Sequence, residues 1–106
     1  MKDLSILKEG DWYEAFNYAQ GFTIDDVAEI HESDDGENDG PEWIMFGVLK
    51  DGRWFYLHAG CDYTGWDCQA GGNSFASTER DEVILMGMDF NARHRFGLLL
   101  PGEGPQ

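Results

Sequence analysis

His58, Cys61 and Cys68 stand within the stretch HAGCDYTGWDC and are the side chains here best able to hold a metal or act as a nucleophile. Structural zinc takes four nitrogen or sulfur ligands, commonly as two closely spaced pairs. Cys61 and Cys68 are separated by six residues, and only His94 or Asp67 could complete the set. A dithiol redox centre needs Cys-x-x-Cys, which this chain lacks. A catalytic Cys–His pair would have to be assembled by folding, since no local motif marks one. A small metal- or thiol-dependent protein centred on His58, Cys61 and Cys68 is therefore the alternative reading. The leading expectation is a protein with no catalytic residue, no bound metal and no cofactor.

The same stretch has a structural explanation. Cys61 follows a strand and can serve as a small buried apolar residue. Tyr63 and Trp66 can roof a core while Gly65 supplies a left-handed turn between them. Asp62 and Asp67 suit hydrogen bonds to the loop's own amides. Gly71 and Gly72 then release the chain toward a second helix. No Lys accompanies this glycine pair, so it is not a phosphate loop.

The acidic run SDDGENDGPE, residues 33–42, invites a calcium test. Asp35, Glu37, Asp39 and Gly40 fall on positions 1, 3, 5 and 6 of a twelve-residue calcium loop. Position 12, which requires a bidentate Glu, is Phe46. The run also leads into a strand rather than a helix. An EF-hand is rejected.

Charge is the strongest compositional signal. The chain carries 21 Asp and Glu against 7 Lys and Arg, a formal −14. From Glu9 to Leu49 there are twelve acidic residues and no Lys or Arg. Such a surface repels nucleic acid and anionic membrane, and it attracts a basic partner. Asp25, Asp26, Glu29, Glu32, Asp34, Asp35, Glu37, Asp39 and Glu42 form the densest unopposed charge and are the expected partner-binding residues. Tyr63 and Trp66 are the aromatic surface next in line. The N-terminal sequence MKDLSILKEGDWYEAF breaks its apolar run at Lys8 and Glu9, and no apolar stretch reaches membrane-spanning length. A reducing, cytoplasmic location with free thiols is expected.

These residues must be positioned by elements legible in the pattern. Trp12, Ala15, Phe16 and Ala19 mark a helical stripe over 11–20, with Asp11 as cap and Gly21 beyond the end. Thr23 and Asp26 predict a capping turn, followed by a strand through Val27 to Glu32. EWIMFGVLK, Asp51-Gly52 and RWFYLHAG predict a hairpin with a two-residue type I′ turn. Trp43, Met45 and Leu49 share one face; Ile44, Phe46 and Val48 share the other. Both faces therefore need a cover, from helices, a second layer or a partner. Thr78 and Asp81 predict the start of a second helix carrying Val83, Ile84, Leu85, Met86 and Met88. Arg93 and Arg95 form the chain's one cationic cluster, and 101–106 read as a frayed tail.

The expected fold is one α+β domain over 1–106: a three-stranded antiparallel sheet with a central hairpin at 43–60, an N-terminal helix and a C-terminal helix.

The run WFYLHAGCDYTGWDCQAGG, Trp54 to Gly72, resembles a motif of small uncharacterised proteins of bacteriophages and bacteria. The resemblance implies a phage-borne context and carries over no site residues. By charge and size alone, small acidic phage proteins include inhibitors of host nucleic-acid machinery, anti-CRISPR proteins among them. Together these observations lead to the expectation of a non-enzymatic acidic interaction protein. It would block a basic, nucleic-acid-binding host protein by charge mimicry, without binding nucleic acid or membrane itself. The two apolar hairpin faces leave a self-associating homodimer as a further alternative.

Overall fold

The strand WIMFGVL has apolar side chains on both faces, and the fold is arranged to cover each of them. The structure is a computed structural model that describes residues 1–67 and 69–104. Four strands form one antiparallel meander in the order β1-β2-β3-β4. They are β1 (Val27–Asp34), β2 (Trp43–Leu49), β3 (Trp54–Gly60) and β4 (Gly71–Ser77). On one face lie α1 (Gly10–Ala15) and the 3-10 turns Leu4–Lys8 and Phe16–Tyr18. On the other lie α2 (Arg80–Glu82), a π-helical turn at Val83–Gly87, and α3 (Phe90–Phe96).

The alternation of β2 sorts the core into two halves, as its sequence requires. Trp43, Met45 and Leu49 join Trp12, Phe16, Phe22, Phe55 and Leu57 beneath the N-terminal layer. Ile44 and Phe46 join Tyr56, Val83, Ile84, Met88, Ala92 and Phe96 beneath the C-terminal layer. The chain covers both sheet faces itself, so they supply no ground for self-association.

Several expectations are corrected. The composition of GGNSFAS predicts a connector, yet this segment is β4, paired with β3 over seven consecutive residues. Its sequence has little β propensity; the outward N–H and C=O groups of β3 need a partner, and β4 supplies it. The hairpin turn is a three-residue loop, not type I′. Leu49 N–H donates to Arg53 O at 2.8 Å and Gly52 N–H to Leu49 O at 2.9 Å. Only Gly52 of the loop has a positive φ, at 93°, which matches a type I turn closed by a glycine bulge.

The helices also start elsewhere than their sequence signals indicate. α1 starts at Gly10, and Asp11 does not cap it. The helix tightens into a 3-10 turn that ends at Tyr18, before Gly21. Glu79, not Thr78, precedes α2, without a side-chain cap. Only Val83 and Ile84 of the π turn are buried, while Leu85 and Met86 are exposed. α3 is capped by Asp89, which accepts from Ala92 N–H at 2.8 Å, and it ends at left-handed Gly97. The Thr23–Asp26 capping box is present as expected.

Through Glu103 the tail expected to fray is drawn back onto α3, while 105–106 lie outside the described residues. Arg93, 9% exposed, donates through Nε and Nη2 to both Glu103 carboxylate oxygens, at 2.8 and 2.6 Å. Arg93 Nη1 donates to the carbonyls of Ile84 and Met88, tying α3 to the π turn. Leu100 N–H closes the tail turn on Glu103.

Two glycines separate the two kinds of glycine constraint. A Cβ on Gly52 would meet nothing within 4 Å, so its cost lies in the backbone alone. A Cβ on Gly47 would lie 2.0 Å from the Glu29 carbonyl oxygen, where β1 shifts register. Gly52→Val should lose on the order of 1 kcal/mol of stability. Gly47→Ala, a smaller change, should cost more because backbone must move. Denaturant titration of both variants measures this; a milder effect at Gly47 would contradict the register.

Candidate functional site

The meander places the β1–β2 loop and the β3–β4 loop at the same end of the sheet, and these loops carry most of the acidic run. They are joined directly. Asp39 N–H donates to Cys61 O at 2.8 Å. Within the first loop, Glu37 N–H donates to Pro41 O at 2.9 Å and Gly40 N–H to Glu37 O at 3.1 Å. Asp39 adopts a left-handed φ of 56°, a conformation that Asp tolerates better than most residues. Between the loops lies an open cleft of about 490 Å³. Asp39, Glu42 and Asp62 line it, with Gly40, Gly60 and Gly71 keeping its walls low.

Arg95 holds this end in place. From α3 its Nε donates to Asp34 Oδ2 at 2.9 Å, Nη1 to Glu42 O at 2.8 Å and Nη2 to Asp35 O at 3.4 Å. One planar guanidinium thus grips both ends of the acidic loop, a geometry that a lysine cannot reproduce. From the other layer, Trp12 Nε1 donates to Asp35 Oδ1 at 3.1 Å. Lys2 Nζ donates to Ser33 O at 2.7 Å. Sequence reading notes Arg95 only as a cation. Its place in the chain's one cationic cluster is the one available signal.

The acidic residues divide by what they do. Asp34 is neutralised by Arg95, Asp35 anchors the Trp12 indole, and Glu42 pairs with His58. Asp26 closes the capping box and Glu29 contacts His31 at 2.9 Å. Among the described residues, Asp25, Glu32, Glu37 and Asp39 have no ion-pair partner. The single patch expected from the sequence is also split. Asp25 and Asp26 lie at the opposite end of the sheet, where Lys50 N–H donates to Asp26 O. Glu29 and Glu32 lie along β1 between the two ends. Asp34, Asp35, Glu37, Asp39 and Glu42 stay together.

The aromatic pair separates too. Trp66 packs against Trp43 with ring centroids 5.0 Å apart, and its Nε1 donates to Asp11 Oδ1 at 3.0 Å. Trp66 is the roof of the core. Tyr63 is 78% exposed beside it, at the tip of a turn set by Asp62, which accepts from Thr64, and by left-handed Gly65. Asp62 thereby joins the acidic end from the second loop, together with exposed Asp67.

His58 and Cys61 do not form one centre. His58 stacks on Tyr56, on the C-terminal face of the sheet. Cys61 is a buried free thiol in the core of the N-terminal face, donating to Asn38 Oδ1 at 3.2 Å. Burial, then the charges of Asp11 and Asp62, push its pKa up, away from thiolate reactivity. Cys68, the third member of that trio, lies outside the described residues. Among the described residues, no three His, Cys, Asp or Glu side chains converge as a metal-binding set.

No protein-family model, curated protein or solved structure matches the chain. No helix among the described residues is long and apolar enough to cross a membrane.

The His58–Glu42 pair gives the acidic end a pH signature. Glu42 Oε2 lies 3.0 Å from His58 Nδ1, and this bond raises the histidine pKa above its ordinary 6.5. A raised pKa favours the protonated folded form. Its stabilisation is full below pH 6.5 and fades as pH rises through the folded value. Both groups are partly exposed, so the effect is about 0.5 kcal/mol or less. Glu42→Gln should therefore cost more stability at pH 6 than at pH 9, by denaturant titration. An equal or larger cost at the higher pH would contradict the pairing.

Proposed function

We propose that this protein is a non-enzymatic acidic interaction protein whose carboxylate-rich end occupies a basic groove of a partner protein. The groove is one that otherwise holds nucleic acid, and the carboxylates stand in for backbone phosphates. The observation that carries this reading is the ordering of the acidic end. A solvated charge run has no need of anchors. Here Arg95, Trp12 and the Asp39–Cys61 bond fix the loop, while Glu37 and Asp39 have no cationic partner among the described residues. Held charges lose less entropy on binding than floating ones. The formal −14 adds long-range steering toward a basic surface.

The phage context and the anti-CRISPR kind of inhibitor are part of this proposal. They rest on the resemblance of residues 54–72 and on charge and size. The cytoplasm, that of the host if the protein is phage-encoded, is the compartment where such a partner would be met.

The binding charges are now separable from the structural ones. Neutralising Asp34 or Asp35 would loosen Arg95 and Trp12, whereas Glu37, Asp39 and Asp67 can be changed without losing an ion pair among the described residues. The test starts with capture of partners from host lysate at low and high salt. A titration of wild type and the triple variant Glu37→Gln, Asp39→Asn, Asp67→Asn against the captured protein follows. The variant should fold normally and associate roughly tenfold more slowly at low salt, with a flatter salt dependence. It should also lose its ability to displace nucleic acid from the partner. Unchanged association and salt slope would refute the mimicry.

A further inference from the structure

We propose that the free edge of β4 is a second half of the binding surface, one that takes an extended, basic segment of the partner as a fifth strand. This deepens the reading above, since it rests on the same basic partner. The two edges of the sheet are treated differently. The β1 edge carries two register shifts, charged side chains and a cover: Lys2 N–H donates to Ile30 O at 2.8 Å. Irregularity, charge and cover are the devices that keep an edge from pairing. β4 is regular and uncharged: GGNSFAS is free of proline, and its register with β3 is unbroken. The tie it receives from the N-terminal layer is to a side chain, Gln20 N–H donating to Ser74 Oγ at 2.8 Å, which leaves its outward backbone uncovered.

Which groups face outward follows from the ladder. The Leu49–Arg53 bond points the odd residues of β3 at β2, leaving Trp54, Tyr56, His58 and Gly60 to bond β4. Their register partners on β4 are Ser77, Phe75, Asn73 and Gly71. Gly72, Ser74 and Ala76 therefore present N–H and C=O groups to the outside. Ser74 agrees: its N–H donates to the Asn73 side chain at 2.8 Å rather than to β3, a local bond that an added strand displaces.

The surroundings specify the occupant. Asp39, Glu42 and Asp62 gather around the Gly60–Gly71 pair where β4 begins. Glu79 follows its end, bonded to Ser77 Oγ, and with Asp81 and Glu82 it outnumbers Arg80, which pairs with Asp81 and lies over Trp54. Beside the strand, exposed Met86 joins Phe75 around a small recess. An extended segment with lysine or arginine at both ends and an apolar side chain between them fits this edge. A second copy of this chain, at −14, does not. Main-chain bonds would supply affinity and the carboxylates register, as in other strand additions.

The probe is a blocked nine-residue peptide, with two lysines at each end of an alternating valine–threonine core. It is accompanied by two derivatives, one N-methylated at the valines and one at the threonines. Each is titrated into the isotopically labelled full chain. The amides of Gly72, Ser74 and Ala76 should shift. Only one derivative should lose affinity, at least roughly tenfold, because only one set of its amides faces β4. Ala76→Pro, which removes an outward donor and no β3 bond, should weaken the parent peptide similarly. Equal binding of both derivatives, or shifts confined to residues 37–42, would overturn the strand addition while leaving the acidic-end reading intact. Dimerisation through β4 that excludes the peptide, or no binding of any peptide, would overturn it as well.

Discussion

The Arg95 guanidinium holds together a loop that its own charges would drive apart. Five carboxylates between Asp34 and Glu42 repel one another, and such a run would ordinarily stay solvated and mobile. Arg95 changes this by donating to Asp34 and to the backbone of Asp35 and Glu42, so one cation neutralises one charge and positions the rest. α3 can offer that side chain because its other arginine, Arg93, is spent internally on Glu103 and the π turn. The two arginines divide the work. One closes the C-terminal layer on itself and the other ties that layer to the acidic end.

Everything between these ties is a sheet with two apolar faces. The alternation in WIMFGVL decides both cores at once, and a layer is recruited to each from the ends of the chain. This part was legible in the sequence: the hairpin strands, the facing of Trp43 and Met45 against Ile44 and Phe46, and the capping box at Thr23. β4 was not legible. Its residues have weak strand preference, and it exists because β3 has hydrogen-bonding groups to satisfy. The turn type is hidden for a related reason. Asp-Gly suits both a two-residue and a three-residue loop, and the register of Leu49 against Arg53 decides between them.

At the candidate site, composition revealed the charge but not its division of labour. Asp34 and Asp35 look from the sequence like the centre of the patch, and they are its anchors. Asp25 and Asp26 look continuous with it, but the length of β1 carries them to the far end. Trp66, which the sequence offers both as a roof of the core and as a surface aromatic, is the roof, a lid over Trp43. Strand length alone moves Asp25 and Asp26; the other assignments depend on a partner distant in sequence: Arg95, Trp12, Asp11 or Trp43. Residue type and spacing report local geometry, and such pairings lie beyond their reach. The joining of the two loops by the Asp39–Cys61 bond is the same kind of fact. It turns an acidic segment and an aromatic connector into one surface.

An anchored acidic end and a solvated charge run differ most directly in amide hydrogen exchange on the native protein. The amides of Glu37, Asp39 and Gly40 each donate a backbone hydrogen bond within or between the loops. In the wild type they should exchange well below the unprotected rate. In Arg95→Lys, where the fork of donors is lost, their exchange should accelerate at least about tenfold while β2 and β3 stay protected. Exchange at the unprotected rate in the wild type, or protection unaffected by the substitution, would contradict the claim that Arg95 builds this surface.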